Sequence, residues 1–435
     1  MNGKMNTFMV TYGGSIQQAC IVLYRRVIVS DFVHKVAETL TTRLIVNGIG
    51  IVTTVIVARV LGPEGRGLYA VAAAIGAIGV QFGNVGLHAS NTYYVARDRR
   101  LLPALVGNSL LVSFVFGGLG IGLAWTVFAL WPHLAPVHGV LLILALVWIP
   151  FGLVYMLLQN IILGVQHVLA YNTIELTNKS LGLALIGLVM ISKAVMVETV
   201  FSTGLIALTL SSIWALWRLQ SSLDRFPLPS FTLLRDHIGY GLKAYLSAFF
   251  AFLVLRADLL MVQYMLGAEQ AGYYSIATTM AEMVYVFPVV VGTILFPKLS
   301  ALTDTRAKWS LAKKAALGIG VIMVPLVTVT ALLAKPVVQL VFGDEFLPAI
   351  PAFIWLLPGI VLLSVSTTYM NYFASIGMPF ITVYSPGAAG IVNIILNTKL
   401  IPILGIVGAS ISSAAAYGVM LIINLSYVSL SRQND

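Results

Sequence analysis

Apolar residues in this chain come in blocks, with polar residues gathered between them. Blocks of roughly 20 apolar residues, long enough to cross a bilayer as helix, recur from about Leu44 to Leu425. Barrel strands would instead show short segments of alternating polarity, so the blocks read as α-helices. The pattern predicts spans near 40–61, 67–95, 103–131, 139–164, 170–192, 196–218, 239–266, 271–300, 313–333, 348–376, 379–400 and 404–429, twelve in all. Residues 1–36 read as an extension: either a loose tail, or an amphipathic helix capped by Ser30-Asp31 and lying on the membrane surface. The polar stretch from Gln220 to Asp236, with Pro227 and Pro229, reads as a linker.

Two turns between blocks are nearly identical. Leu61 to Tyr69 and Leu266 to Tyr274 both fit L-G-x-E-x-x-G-x-Y, 205 residues apart. A spacing near half the chain marks a duplicated unit. Weaker parallels follow, Pro150-Phe151-Gly152 with Pro358-Gly359 and Gly164/Tyr171 with Gly377/Tyr384. The expected units are 37–219 and 237–435, joined by 220–236. Six spans per unit give both the same orientation, hence an all-α protein of two parallel six-helix bundles, the arrangement of an alternating-access transporter. Within the turns, Gly62, Gly67, Gly267 and Gly272 suit tight backbone. Glu64 and Glu269 stand near helix starts, where the dipole favours acid.

Composition agrees with a membrane protein. Apolar residues make up 59% and charged residues 9%, against about 25% charged in a soluble domain. The net charge of +10 does not point to nucleic acid, because the basic residues are sorted by side. With the N-terminus inside, eighteen fall in inner segments, among them Arg97, Arg99, Arg100, Arg225 and Lys313, and five in outer ones: Arg59, Arg66, Lys193, Lys335 and Lys399. That bias predicts both termini on the cytoplasmic side of the cytoplasmic (inner) membrane. The lone Cys20 excludes an intramolecular disulfide and a cysteine metal cluster. Residues 8–24 are too interrupted by Gly13, Gly14, Gln17 and Gln18 to read as a signal peptide, and Arg25-Arg26 follows them rather than preceding them. No phosphate-binding G-x-x-x-x-G-K-[ST] loop or H-E-x-x-H is present, His133 and His138 lack a third ligand, and no catalytic constellation stands out. The expectation is a protein that is not an enzyme, with no metal and no cofactor.

Four charges fall inside spans: Lys179, Arg256, Asp258 and Glu282, with Glu175 and Arg43 nearer the inner surface. A charge at mid-bilayer costs at least ~2.5–3.5 kcal/mol, so each needs a partner or a watery space. Counting helix rise from the second turn puts Arg256 roughly 15 Å and Glu282 roughly 17 Å below the outer surface. They therefore share a level on adjacent antiparallel helices, and Glu282 is the first candidate partner of Arg256. Arg256 and Asp258, two apart, point to different sides. Glu175 and Lys179, four apart, can pair on one face. Two readings stay open. In one, Lys179 and Arg256 line a cationic cavity for an anionic substrate, with Arg43 at its inner mouth and Glu282, Asp258 or Glu175 serving ion coupling. In the other, these are ion pairs that lock helices together. The positions 205 residues before Arg256, Asp258 and Glu282 are Ile51, Thr53 and Ala77, so the halves differ in charge. Amides such as Asn371 and Asn393 suit either sugar recognition or interhelical bonding.

The stretch Ala58-Arg59-Val60-Leu61-Gly62-Pro63-Glu64-Gly65-Arg66-Gly67-Leu68-Tyr69 resembles the first hairpin of Wzx-type polysaccharide flippases, of the multidrug/oligosaccharidyl-lipid/polysaccharide exporter superfamily. Arg256-Ala257-Asp258 resembles the family's R-x-D in span seven. Glu282 with Pro288 and Phe296-Pro297-Lys298-Leu299-Ser300 resembles span eight, and Phe342-Gly343-Asp344-Glu345-Phe346 the entry to span ten. The likeness runs from about 37 to 430. It implies two bundles in a V around a central cavity. It also implies flipping of undecaprenyl-diphosphate-linked oligosaccharide units, for O-antigen, capsule or exopolysaccharide, from inner to outer leaflet. Coupling to an H+ or Na+ gradient, or removal of the product, would drive this, among membrane lipids and alongside a polysaccharide polymerase and chain-length regulator. Twelve spans argue against the lipid II branch, which carries two more. Two alternatives remain: an ion-coupled multidrug or organic-cation antiporter of the same fold, with an acidic cavity, and a non-transporting partner in a glycan assembly complex.

Overall fold

The computed structural model describes residues 41–239 and 241–430 in full and the backbone alone over 3–40, 240 and 431. The side chains of residues 1–40, including the expected Ser30-Asp31 cap, lie outside the described residues. All secondary structure in the described residues is helical. Eleven helices are long and apolar enough to cross a membrane, and the first, Thr41–Gly83, holds 43 residues. At 1.5 Å per residue that is roughly 65 Å, twice a ~30 Å hydrocarbon core. Gly62 divides it, with φ 65° and ψ −176°. The result is twelve crossings: α1 (residues 3–61) and α2 (residues 63–83, resuming after a turn as Leu87–Arg97), then α3 (Leu102–Leu130), α4 (Gly139–Gly164), α5 (Val168–Ile191), α6 (Val197–Gln220), α7 (Phe231–Leu266), α8 (Ala268–Ala301), α9 (Thr305–Val341), α10 (Ala349–Ser375), α11 (Ile381–Leu404) and α12 (Ile406–Ser431).

Several helices outrun their apolar blocks. α9 starts at Thr305 because Asp304 caps it, accepting from the backbone N–H groups of Arg306 and Ala307 at 3.1 Å each. α7 starts at Phe231, inside the stretch expected to be linker, and its first turns carry buried Leu234 and His237 on either side of charged Arg235 and Asp236. The link between the halves is thus only residues 221–230.

α1–α6 and α7–α12 form two bundles. In the first, α3 and α6 pack on α4; in the second, α8, α9 and α12 surround α10 while α7 lies on α11. Each bundle has its own inner core, around Leu158, Ile161 and Leu219 in one and Leu299, Phe373 and Val428 in the other. The largest core belongs to both. It joins Val71, Ala74 and Leu146 to Tyr274, Ala277, Phe346 and Phe353, all toward the end where the two repeated turns lie. The bundles are therefore fused at that end, called outer below.

Candidate functional site: a charged seam between the bundles

The seal at the outer end is built by the repeat itself. Gly62 and Gly267 both have positive φ (65° and 89°) and ψ near 180° (−176° and 179°), a conformation that L-residues other than glycine avoid. Five residues on, Gly67 and Gly272 meet across the boundary. A Cβ on Gly67 would strike the Ala268 carbonyl and the Gly272 nitrogen; one on Gly272 would strike the Pro63 carbonyl and approach the Gly67 nitrogen. The contact is reciprocal, as two-fold-related copies require. Beside it, Arg59 at the end of α1 donates from Nε to the Val341 carbonyl at 2.7 Å and from Nη2 to the Leu340 carbonyl. It thereby caps the carbonyl end of α9 in the other bundle. Gln263 donates to the Pro136 carbonyl at 3.0 Å.

Toward the inner end the bundles stay joined along α2 and α7. Tyr245 donates to the Phe82 carbonyl at 2.9 Å, Gly86 and Gly241 meet backbone to backbone, and Tyr94 stacks on His237 with ring centroids 4.1 Å apart. Asn108 of α3 exchanges two hydrogen bonds with Ser230 at 2.8 and 3.1 Å.

Within the seam Arg256 of α7 and Glu282 of α8 form an ion pair of 3.0 Å, with side chains 35% and 43% exposed. The pairing expected from helix rise is present. Asp258 faces the other way and is 3% exposed, inside the second bundle. It accepts from the Tyr274 hydroxyl at 2.9 Å, from the Ser413 hydroxyl, and from Asn397 Nδ2 at 3.4 Å; Asn397 Nδ2 also donates to Asn393 Oδ1 at 3.0 Å. Asn397 Oδ1 is buried beside this cluster without a hydrogen-bond partner. One carboxylate and an unused carbonyl among hydroxyls form an oxygen-rich site suited to a hard monovalent cation or a proton.

In the first bundle the expected Glu175–Lys179 ion pair is absent among the described residues. Lys179 is exposed, while Glu175 turns inward and leaves Oε2 buried and unbonded. Arg43 is exposed and lies against Tyr171, with Glu175 nearby. The structure does not bring Lys179 to Arg256. Of the turn glutamates, Glu64 is exposed and Glu269 accepts from Tyr273 at 2.6 Å.

Charge sorting places Arg66 in an outer segment, yet it is 8% exposed. Its guanidinium lies 5.7 Å from the Tyr69 ring, its Nε has no partner, and its charged neighbours are Glu282 and Arg256. A signal for it existed: the repeat places Ala271 at the equivalent position, so the turn does not need arginine. Arg59 was likewise read as a loop charge. Separate from these charges, an apolar cavity of about 750 Å3 lies between α2, α3 and α7, lined by Ile78, Phe82, Leu123, Val127, Met261 and Tyr264.

The sequence pattern of a family described as "Polysaccharide biosynthesis protein" matches residues 56–351. A Haloferax volcanii protein described as "Probable low-salt glycan biosynthesis flippase" is 22% identical over 246 residues, covering 56% of this chain and 52% of that one. The chain spans about half the length of the curated relatives it matches, or less. Among solved structures, an inward-facing multidrug resistance transporter of the MATE family superposes with a TM-score of 0.69 at 16% identity, covering 88% of this chain and 93% of that chain. The lipid II flippase MurJ, in an inward closed conformation, gives 0.69 at 14% identity over 90% and 87%.

Proposed function

We propose, from the premise that the chain belongs to the polysaccharide biosynthesis protein family, that it flips a lipid-linked oligosaccharide with an anionic headgroup from the inner to the outer leaflet. The observation that carries this reading is the Arg256–Glu282 pair, half-exposed at mid-depth between two bundles sealed at their outer ends. Hydrated charge there lets a phosphoryl group pass without entering hydrocarbon. Arg256 takes the phosphoryl oxygens through its planar fork, and Glu282 holds that guanidinium in place while no substrate is bound. The hydrocarbon chain stays in the bilayer. The substrate is an undecaprenyl-diphosphate-linked repeat unit of O-antigen, capsule or exopolysaccharide, in the cytoplasmic membrane with both termini inside.

Transport proceeds by alternating access: opening the glycine seal while the bundles close at their opposite end exchanges the exposed leaflet. Asp258 with Asn393, Asn397 and Ser413 supplies the site for a coupling H+ or Na+. Lys179 and Arg43 line the inner approach. A polymerase and a chain-length regulator receive the product.

The test is transport of fluorescent lipid-linked oligosaccharide in proteoliposomes. Wild-type protein translocates it, and Arg256→Ala at equal protein level slows translocation by at least ~10-fold. A non-transporting assembly partner would move none. Glu282 favours one rival reading, organic-cation antiport, because a carboxylate in the seam also attracts cations. Under that reading Glu282→Gln abolishes transport, and Arg256→Ala does not.

A further inference from the structure

Arg66 is the feature of the seam that the reading above leaves unused. It enters from α2 of the first bundle, immediately beneath the Gly67–Gly272 contact. Its guanidinium lies against the Tyr69 ring, and its buried Nε has no hydrogen-bond partner. Removing an unpaired charge from water is unfavourable by several kcal/mol. The fold does not demand this one, since the duplicated turn closes equally well with Ala271. The neighbouring charges are one carboxylate, Glu282, and one more guanidinium, Arg256. Glu282 is already bonded to Arg256 at 3.0 Å. Among the described residues, this part of the seam thus brings together two guanidinium forks and one carboxylate.

We infer that Arg66 is a second headgroup-binding residue, so that the substrate's anionic group is held by one guanidinium from each bundle, and that this pair selects a diphosphate over a single phosphate. The inference rests on the reading of the seam as an anion path. Each fork accommodates two oxygens of one phosphoryl group. A lone phosphate that engages Arg256 leaves Arg66 bare. A diphosphate places one phosphoryl group on each arginine and removes the charge deficit beneath the seal.

The experiment measures binding of inorganic pyrophosphate and inorganic orthophosphate to the full chain in nanodiscs. Wild type is expected to bind pyrophosphate at least ~10-fold tighter than orthophosphate, about 1.4 kcal/mol. Arg66→Gln is expected to weaken pyrophosphate binding far more than orthophosphate binding and so erase that preference, an outcome general damage to the protein would not produce. Arg256→Gln is expected to weaken both probes. If Arg66→Gln keeps the wild-type preference while Arg256→Gln loses binding, the inference fails and the anion path stands. If wild type binds neither probe, the anion path itself fails. Should Arg66→Gln not yield folded protein, Arg66→Lys decides: it keeps the charge without the fork, and an unchanged preference overturns the proposal.

Discussion

Arg256 and Asp258 stand two positions apart on α7 and meet opposite surroundings, one the seam between bundles and the other a buried cluster of hydroxyls and amides. That divergence was legible from helix geometry, and so was Glu282 as partner. The Asp258 cluster was not, because Tyr274, Asn393, Asn397 and Ser413 come from three other helices whose rotations no local pattern specifies. His237 shows the same limit. It lies in the part of α7 outside the membrane, fully buried against Tyr94, with neither ring nitrogen bonded. Burial pushes its pKa down to about 4, and Asp236 opposes only weakly. Since an unfolded histidine titrates near 6.5, the unfolded chain binds more protons between pH 4 and 6.5. Stability therefore rises with pH through that window and falls on acidification. His237→Phe keeps the stacking and removes the proton. Its thermal unfolding midpoint is expected to drop less than wild type's between pH 7 and pH 4.5. Equal drops would show that this ring is not the source.

Among the elements, the two turns carry the most information per residue. Their glycines announced tight backbone in the sequence, and the structure separates two reasons for it. Gly62 and Gly267 satisfy positive φ within one chain segment, whereas Gly67 and Gly272 make room for the opposite bundle. The second reason is invisible locally, because the obstructing carbonyl belongs to the other repeat. Gly67→Ala is expected to part the outer seal. With native Cys20 replaced and Ala271→Cys as reporter, labelling by a membrane-impermeant thiol reagent should quicken by ~10-fold or more. Gly118→Ala, where a methyl meets nothing within 4 Å, serves as the control and should leave the rate alone. An unchanged rate with Gly67→Ala would mean the glycine contact does not close the seam.

At the scale of the molecule, two bundles share one core at the outer end, one interface along α2 and α7, and the charge-assisted bonds from Arg59 to α9. Arg59→Gln removes the bonds from the first bundle to the carbonyl end of α9. Spin labels at Leu134→Cys and Lys335→Cys, one on each bundle's outer end, should then show a longer-distance population grown several-fold over the Arg59 parent. A distance distribution identical to the parent's would remove Arg59 from the seal.

The membrane-crossing helices and their duplication follow from the sequence alone, since bilayer thickness and backbone bonding in lipid act on local stretches of chain. The meeting of Gly67 with Gly272, the burial of Arg66 and the assembly of the Asp258 cluster were decided only by tertiary structure. They depend on how twelve helices rotate against one another, and in a lipid-facing chain nearly uniform apolarity leaves no periodic stripe to fix those rotations in advance.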